Sequence, residues 1–462
     1  MTTPTPSTDD TVITNRTDDE LPIGASASID RADEPGGRGS GAVGTGVANA
    51  AAVKENAVAM GSILVINAGS STLKFALYPR CGDTLGEITA HPSFAAGQID
   101  GLQPGGRLRL YPSGSDPVDL PEPADEAQRF GVALKAMQAH VVAVAPGARI
   151  VAVAHRIVHG GRYYRAPTRL DDTAMMLLAS LNPLAPLHQP HNLAGVRALR
   201  KAFPALPQIG CFDTAFHADL PELETRYALP QALYDEGVRR YGFHGLSYDY
   251  VVQVLRGCST RASGRVLMAH LGSGASLCGA REGRSVATSM GFSVLDGLMM
   301  GSRCGQLDPG VVLHLWREGW TEAQVEQLLY KESGLLGVSG LSADMRLLRR
   351  AADDGNPQAR TAIDLFTYRL TREAGALAAV LGGLDVLVCT GGIGEHDAAT
   401  RAALARALHY LGVELDTAAN QVARGDAIAP IHSTSSAVEV WVVPTDEGRV
   451  AAQAAWALLD EG

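Results

Sequence analysis

The chain has 462 residues, 46% of them hydrophobic and 19% charged, with a net charge of −10. That length allows two or three domains with an ample core, and the negative balance argues against nucleic acid as a partner. No apolar run reaches the roughly 18 residues of a membrane span, and the start lacks the basic and apolar regions of a secretory leader. Residues 1–61 hold nine acids and four bases, and the first aromatic residue of the chain is Phe75. Such a stretch cannot bury enough apolar surface to offset its ordering entropy, so it reads as a disordered N-terminal extension. A docking or regulatory tail is the functional alternative, and a translation start at Met60 is the plain one.

The fold is expected to begin at residue 62. Ile63–Ile66 is an apolar run, Asn67–Thr72 a small-residue turn and Leu73–Tyr78 a returning run, which together predict a strand, a tight turn and a second strand. The same device recurs some 200 residues on: Val266–His270, the turn Leu271–Gly274, and Ala275–Ala280. Arg281–Arg284 is a further turn. Two copies of one device suggest two related halves facing each other. Ile363, Phe366, Leu370, Ala374, Leu377 and Leu381 then recur at helical spacing and stop at Gly382–Gly383. Val386–Thr390 reads as a buried strand, Gly391–Gly394 as a turn, and Ala398–Leu411 as a helix. A strand, a glycine turn and a helix start can cradle a phosphate on bare backbone N–H groups. The six cysteines, Cys81, Cys211, Cys258, Cys278, Cys304 and Cys389, form no CxxC pair. That argues against a zinc or thioredoxin-like site. Scattered single cysteines fit a reducing cytoplasm, mostly as small buried hydrophobes.

Several short stretches are denser in polar residues than a plain core needs. They carry Arg156 between His155 and His159, then Asp213, His244 and Arg303, and finally Thr445–Glu447 after an apolar strand at Val438–Val443. There is no G-x-x-x-x-G-K-[ST] loop and no G-x-G-x-x-G after the first strand, so neither a Walker NTPase nor a dinucleotide-binding dehydrogenase is indicated. The pair His155/His159 lies on a β-rich run rather than a helix, which favours a structural reading over a metal site.

Eleven stretches in order, ILVINAGSSTLKF, HRIVHGG, LAPLHQPHNL, FDTAFH, RRYGFHG, HLGSGAS, TSMGF, GLMMGSR, SGLLGVSG, TGGIGE and PTDE, resemble the acetate/propionate kinase family over roughly residues 62–460. The family belongs to the acetate and sugar kinase/heat-shock chaperone/actin superfamily. The resemblance implies an α/β, two-domain duplicated ribonuclease H-like (actin-like ATPase) fold with an interdomain active-site cleft. Domain I would comprise residues 62–216 plus 448–462, and domain II residues 217–447. It implies a cytoplasmic homodimer acting on acetate and ATP, with Mg²⁺ (Mn²⁺ possible) and ADP and acetyl phosphate as products.

Residue by residue, the resemblance implies that Arg156 holds the acyl carboxylate and Arg303 the migrating phosphoryl group, tasks that suit a planar guanidinium fork. His244 matches the transition-state-stabilising histidine, and His188 a second cleft histidine. Asp213 matches the family's catalytic acid. A carboxylic substrate of pKa near about 4.3 is already ionised at pH 7, so Asp213 is expected to position Mg²⁺ or Arg156 rather than remove a proton. Asn67 and Glu447 match the metal positions, and Lys74 the cation near the ATP phosphates. His270, Leu271, Gly272, Ser273 and Gly274 form the second phosphate turn. Asp344, Met345 and Arg346 match the adenosine-contacting segment. Gly392, Ile393, Gly394, Glu395 and His396 match the adenine/ribose loop. Val158, Leu187 and Phe243 match the lining of a small acyl pocket.

The chain departs from the family pattern at five places. Ser273 stands for the usual Asn, and Val294 for a pocket-lining Pro in GFTPLEG. Gly245–Tyr248 (Gly-Leu-Ser-Tyr) replaces GTSH. His396 stands for the usual Asn after GIGE, and Gly448 for the second Glu of TNEE. The alternatives are a propionate or other short-chain carboxylate kinase, and an ATP-driven conformational switch without phosphotransfer. The retained Arg156/Arg303 pair argues against the switch, because a switch needs no carboxylate clamp.

Overall fold

Strand β1 (Ser62–Ala68) turns through Gly69–Ser71 into β2 (Thr72–Pro79), giving the first hairpin in the expected register, with Ile66 opposite Phe75 and Asn67 opposite Lys74. The computed structural model describes residues 61–80, 93–125 and 128–461. The expected extension before residue 61, the Met60 start and Cys81 lie outside those residues. Three further antiparallel strands, β3 (Phe94–Asp100), β4 (Arg109–Pro112) and β5 (Val118–Asp119), continue outward from β2. On the other side β6 (Ile150–Ile157) runs parallel to β1. The edge strand β7 (Thr168–Arg169) pairs antiparallel with β8 (Gln208–Phe212), which is itself parallel to β6. β8 is buried at every position, as expected of a parallel strand covered on both faces.

The second hairpin is also present. β9 (Val266–Leu271) and β10 (Ala275–Arg281) pair antiparallel, and β11 (Arg284–Thr288) returns beside β10. β12 (Val386–Thr390) and β14 (Glu439–Val442) run parallel to β9, with β13 (Ala429–Pro430) antiparallel at the edge. Sheet order is β5-β4-β3-β2-β1-β6-β8-β7 in the first sheet and β11-β10-β9-β12-β14-β13 in the second. Strand for strand, β3-β2-β1-β6-β8-β7 repeats as β11-β10-β9-β12-β14-β13, with the same parallel and antiparallel senses. The suspected duplication therefore holds for six strands per half.

Helices Gly245–Cys258 and Glu447–Asp460 pack between the sheets. Leu246, Val251, Leu255, Ala451 and Ala455 share one apolar cluster with Ile63 and Ala154 of the first sheet and Met268 and Val388 of the second. The long helix Pro357–Leu381 covers the opposite face of the second sheet. All six of its predicted core residues, from Ile363 to Leu381, are buried. It is capped by the Asn356 side chain accepting from Ala359 N–H, and it ends at Gly382 with φ of 70°, a conformation that glycine adopts at least cost.

Two expectations are corrected. Gly391–Gly394 is not a turn but most of a short helix, Gly391–His396. Gly391, with φ of 74°, makes the sharp change of direction after β12, and the Glu395 carboxylate reaches back 2.8 Å to accept from Gly391 N–H. The predicted Ala398–Leu411 helix ends at Ala407. A 3₁₀ turn, His409–Leu411, follows and closes on Gly412.

Candidate active site

The candidate site residues gather at the carboxyl ends of β1, β6, β8, β9, β12 and β14, which is where parallel α/β sheets place ligands. In the β1–β2 hairpin Asn67 and Lys74 stand directly opposite each other and share one face. β6 delivers Arg156, and β8 ends one residue before Asp213. The Arg156 Nε and Nη2 donate to Asp213 Oδ1 and Oδ2 at 2.9 and 2.8 Å, and Nη1 lies 3.0 Å from Glu447 Oε2. Three of the five guanidinium N–H donors are used, leaving two for a ligand. Burial alone would lower the Arg156 pKa, but the Asp213 and Glu447 carboxylates reverse that and hold it charged. Burial pushes the Asp213 carboxyl up while the Arg156 fork opposes the rise.

Asp213 is itself held in place. Its carbonyl accepts from Gly245 N–H at 2.9 Å, and its N–H donates to Ile157 O at 3.0 Å. A side chain at Gly245 would collide with that carbonyl. The neighbouring polar motif also braces the strands. Asn192 donates to Ala68 O at 2.6 Å and accepts from Val158 N–H at 2.9 Å, tying the end of β1 to the end of β6.

Arg303 comes from the loop after the second sheet's hairpin. Its Nη1 donates to Val294 O at 2.8 Å, and among the described residues no carboxylate pairs with it. Burial draws its pKa below the usual value. A Cβ on Gly274 would sit 2.7 Å from Arg303 Nη2 and 3.3 Å from His244 Nε2, so a side chain at that turn would crowd both groups. His244 holds a left-handed backbone, φ of 60°, as the residue before helix Gly245–Cys258. That conformation costs a non-glycine residue roughly 1–2 kcal/mol, and such strain collects at functional sites. The His244 and His270 rings stack with centroids 4.2 Å apart. Burial pushes His270 and His188 down to about 4. Burial first, then His270, Arg156 and Arg303, holds His244 well below its ordinary value. The three imidazoles are neutral at pH 7.

A cavity of about 800 Å³ brings most of the predicted residues together. Asn67, Lys74, Arg156, His188, His244, His270, Gly272, Ser273, Gly274, Arg303, Gly392, Glu395 and Glu447 line it. Asp213 is buried behind Arg156, and Leu271 is buried in β9. Val158 and Phe243 join Ala185 and Val294 in one apolar cluster, while Leu187 is half-buried outside it. Ile393, Gly394 and His396 do not line this cavity, and neither do Asp344, Met345 and Arg346. Met345 is buried in the core, and Asp344 caps the next helix and pairs with Arg346 at 2.6 Å. His155 is structural, with Nε2 2.8 Å from Gln208 Oε1.

Two residues given no role from the sequence also line the cleft. Thr445 lines it and donates to Ser247 Oγ at 2.9 Å, while Ser247 Oγ lies 2.8 Å from His270 Nδ1. Tyr78 also lines it and donates to Asp446 Oδ1 at 2.6 Å. Its hydroxyl fills the space that a side chain at residue 448 would take, so Gly448 and Tyr78 are matched to each other. A missing side chain in PTDEG was the only sign of this in the sequence.

A cleft with two guanidiniums, a lysine, neutral histidines and glycine turns at strand ends is that of a kinase, built on a mixed α/β, two-sheet scaffold of the actin-like ATPase kind. Residues 62–453 match the family model described as the acetokinase family, and the chain belongs to that family. It is 48% identical over 413 residues to an acetate kinase of Rhodopseudomonas palustris, an alignment spanning 87% of this chain and 99% of the relative. Among solved structures it is similar to the acetate kinase of Porphyromonas gingivalis, with a TM-score of 0.75 at 36% identity, covering 86% of this chain and 100% of that one. A propionate kinase of Francisella tularensis matches with a TM-score of 0.75 at 32% identity, covering 86% of this chain and 99% of that one.

Proposed function

We propose that this chain catalyses reversible, Mg²⁺-dependent transfer of the γ-phosphoryl group of ATP to acetate, giving acetyl phosphate and ADP. The observation that carries the reading is the pair of guanidiniums on one cavity wall: Arg156 with two donors to spare, and Arg303 with no carboxylate partner among the described residues. In the forward direction a carboxylate oxygen of acetate bonds to the γ-phosphorus as the bond from phosphorus to the β–γ bridging oxygen breaks, and ADP leaves with that electron pair. The acid is already ionised, so no base is required. Arg156 orients the acyl carboxylate, and Asp213 orients Arg156. Arg303 meets the charge on the migrating group, where such a cation is worth the most. His244 and His270 act as neutral N–H donors. Lys74 and the turn His270–Gly274 are assigned to the nucleotide phosphates, and Gly392 and Glu395, which line the same cavity, to the nucleoside side, with Asp344–Arg346 beyond the cavity wall.

Asn67 and Glu447 offer hard oxygen donors at the cleft wall, and Glu447 keeps one carboxylate oxygen beyond the one facing Arg156. This pair fits a divalent cation that retains several waters, Mg²⁺ or Mn²⁺. When bound, such an ion supplies charge neutralisation at the nucleotide phosphates.

Acetate and propionate differ by one methylene, which a small apolar pocket discriminates by only about 1–3 kcal/mol. Val294, where the family pattern has a Pro, sits 6% exposed in the cluster holding Val158 and Phe243. Propionate is therefore the second substrate to test, a reading also favoured by the likeness to the Francisella propionate kinase. Hydroxylamine trapping of the acyl phosphate with acetate, propionate and butyrate checks both: acetate is expected to give the highest kcat/KM, and a higher value for propionate would reassign the substrate.

The division into domain I, 62–216 plus 448–462, and domain II, 217–447, is supported by the two sheets, one built from residues 62–212 and the other from 266–442. Homodimerisation is supported by helix Pro309–Arg317, which has no buried residue and leaves Val311, Leu313 and Trp316 exposed beside Trp320. Light scattering is expected to give twice the chain mass. Free cysteines at all five described positions fit a cytoplasmic setting.

A further inference from the structure

Behind His244 runs a chain of hydroxyls that the reaction scheme does not use. His244 Nδ1 lies 2.8 Å from Ser276 Oγ, and Ser276 Oγ lies 2.5 Å from Tyr248 Oη. Ser276 and Tyr248 are 0% exposed and His244 9%. Tyr248 sits one turn into helix Gly245–Cys258, where its N–H donates to His244 O, and Ser276 sits on β10. Two separate elements thus fix the three groups.

Proton counting sets the direction of the chain. Burial pushes the Tyr248 phenol well above its ordinary value, so it keeps its proton. Ser276 Oγ is its one side-chain partner among the described residues. A buried donor without an acceptor costs about 1–3 kcal/mol, so the phenol donates to Ser276. The serine's own proton then has His244 Nδ1 as its acceptor. An imidazole whose Nδ1 accepts carries its proton on Nε2. Nε2 is the atom that faces the turn at Gly274, close to Arg303. The opposite tautomer would aim two donors at Ser276 Oγ, strand the serine proton, and turn a lone pair toward the phosphate turn.

We propose that Tyr248 is a positioning residue: acting through Ser276, it locks His244 as the Nε2–H tautomer, so that an N–H donor faces the migrating phosphoryl group. The proposal rests on the kinase reading of the cleft and extends it, since the family pattern has a histidine at this position. Replacing GTSH by Gly-Leu-Ser-Tyr is then a change of proton source rather than a loss.

The test is a long-range ¹H–¹⁵N correlation spectrum of the full-length protein labelled with [¹⁵N]histidine, with His244 identified by its loss in His244→Gln. The wild type is expected to show an acceptor-type Nδ1 and a protonated Nε2 at His244. Tyr248→Phe and Ser276→Ala are each expected to move both nitrogens toward a tautomer mixture. They are also expected to lower kcat about tenfold, equivalent to about 1.4 kcal/mol, with KM for ATP and acetate within about twofold of wild type. A wild-type His244 protonated at Nδ1, or wild-type shifts retained in Tyr248→Phe, overturns the proposal. The wild-type spectrum is read without turnover, so a protein that forms no acyl phosphate would remove the assigned reaction and leave the tautomer result standing.

Discussion

Arg303 meets one carbonyl and no carboxylate among the described residues, yet burial already disfavours its charge. A cation held that way gains most when an anion arrives, which is the condition for stabilising a transferring phosphoryl group. Arg303→Ala is therefore expected to lower kcat by about 10³-fold or more, while circular dichroism stays native, because among the described residues the side chain hydrogen-bonds only to Val294 O. Asp213 behaves differently. It is buried, and its two oxygens are taken by Arg156. Asp213→Asn is expected to reduce kcat at every pH without removing a basic limb from the profile, and to destabilise the fold by about 3 kcal/mol through the broken pair. A variant that lost only the basic limb would make Asp213 a general base instead.

At the level of elements, two adjacent strand ends of the first sheet are tied together by Asn192, whose amide bonds both the β1 end and the residue after β6. Asn192→Ala leaves two buried backbone groups unpaired, and urea denaturation is expected to register a loss of about 2–4 kcal/mol. Both hairpins were legible in the sequence, because a small-residue turn between two apolar runs permits few other structures. The helix Pro357–Leu381 was legible from its period and its glycine stop. Gly391–His396 was not: a glycine-rich tetrapeptide reads as a turn, and what makes it helical is the Glu395 carboxylate accepting from Gly391 and Thr445 N–H groups, the latter 50 residues away. The hydroxyl chain behind His244 was invisible for the same reason, since Tyr248 and Ser276 meet only once the helix packs on β10. The charged residues of the cleft were legible by motif, Asp213 as the partner of Arg156 among them, and the hydroxyls behind His244 were not.

Across the whole molecule, burial holds His155, His159, His188, His217 and His270 at about 4. Unfolding frees each to an ordinary value near 6.5, so the unfolded chain binds more protons than the folded one between those limits. Stability is thus complete above about pH 6.5 and falls as the pH drops toward about 4, by up to about 1.4 kcal/mol per pH unit for each histidine. Thermal melts are expected to be flat from pH 7 to 8 and to fall steeply below pH 6; a melting temperature that held to pH 4.5 would show that these imidazoles are not buried neutral.

The duplicated six-strand halves bring their two hairpin turns to one cleft, an arrangement that serves a phosphotransferase or an ATP-driven switch equally well; the two arginines favour the phosphotransferase. The most direct measurement is the ratio of acyl hydroxamate formed to ADP released when the full-length protein turns over ATP and acetate in hydroxylamine. A ratio near one, collapsing together with both products in Arg156→Ala, is the expected result. ADP release with no hydroxamate would contradict the account and make the cleft that of a switch.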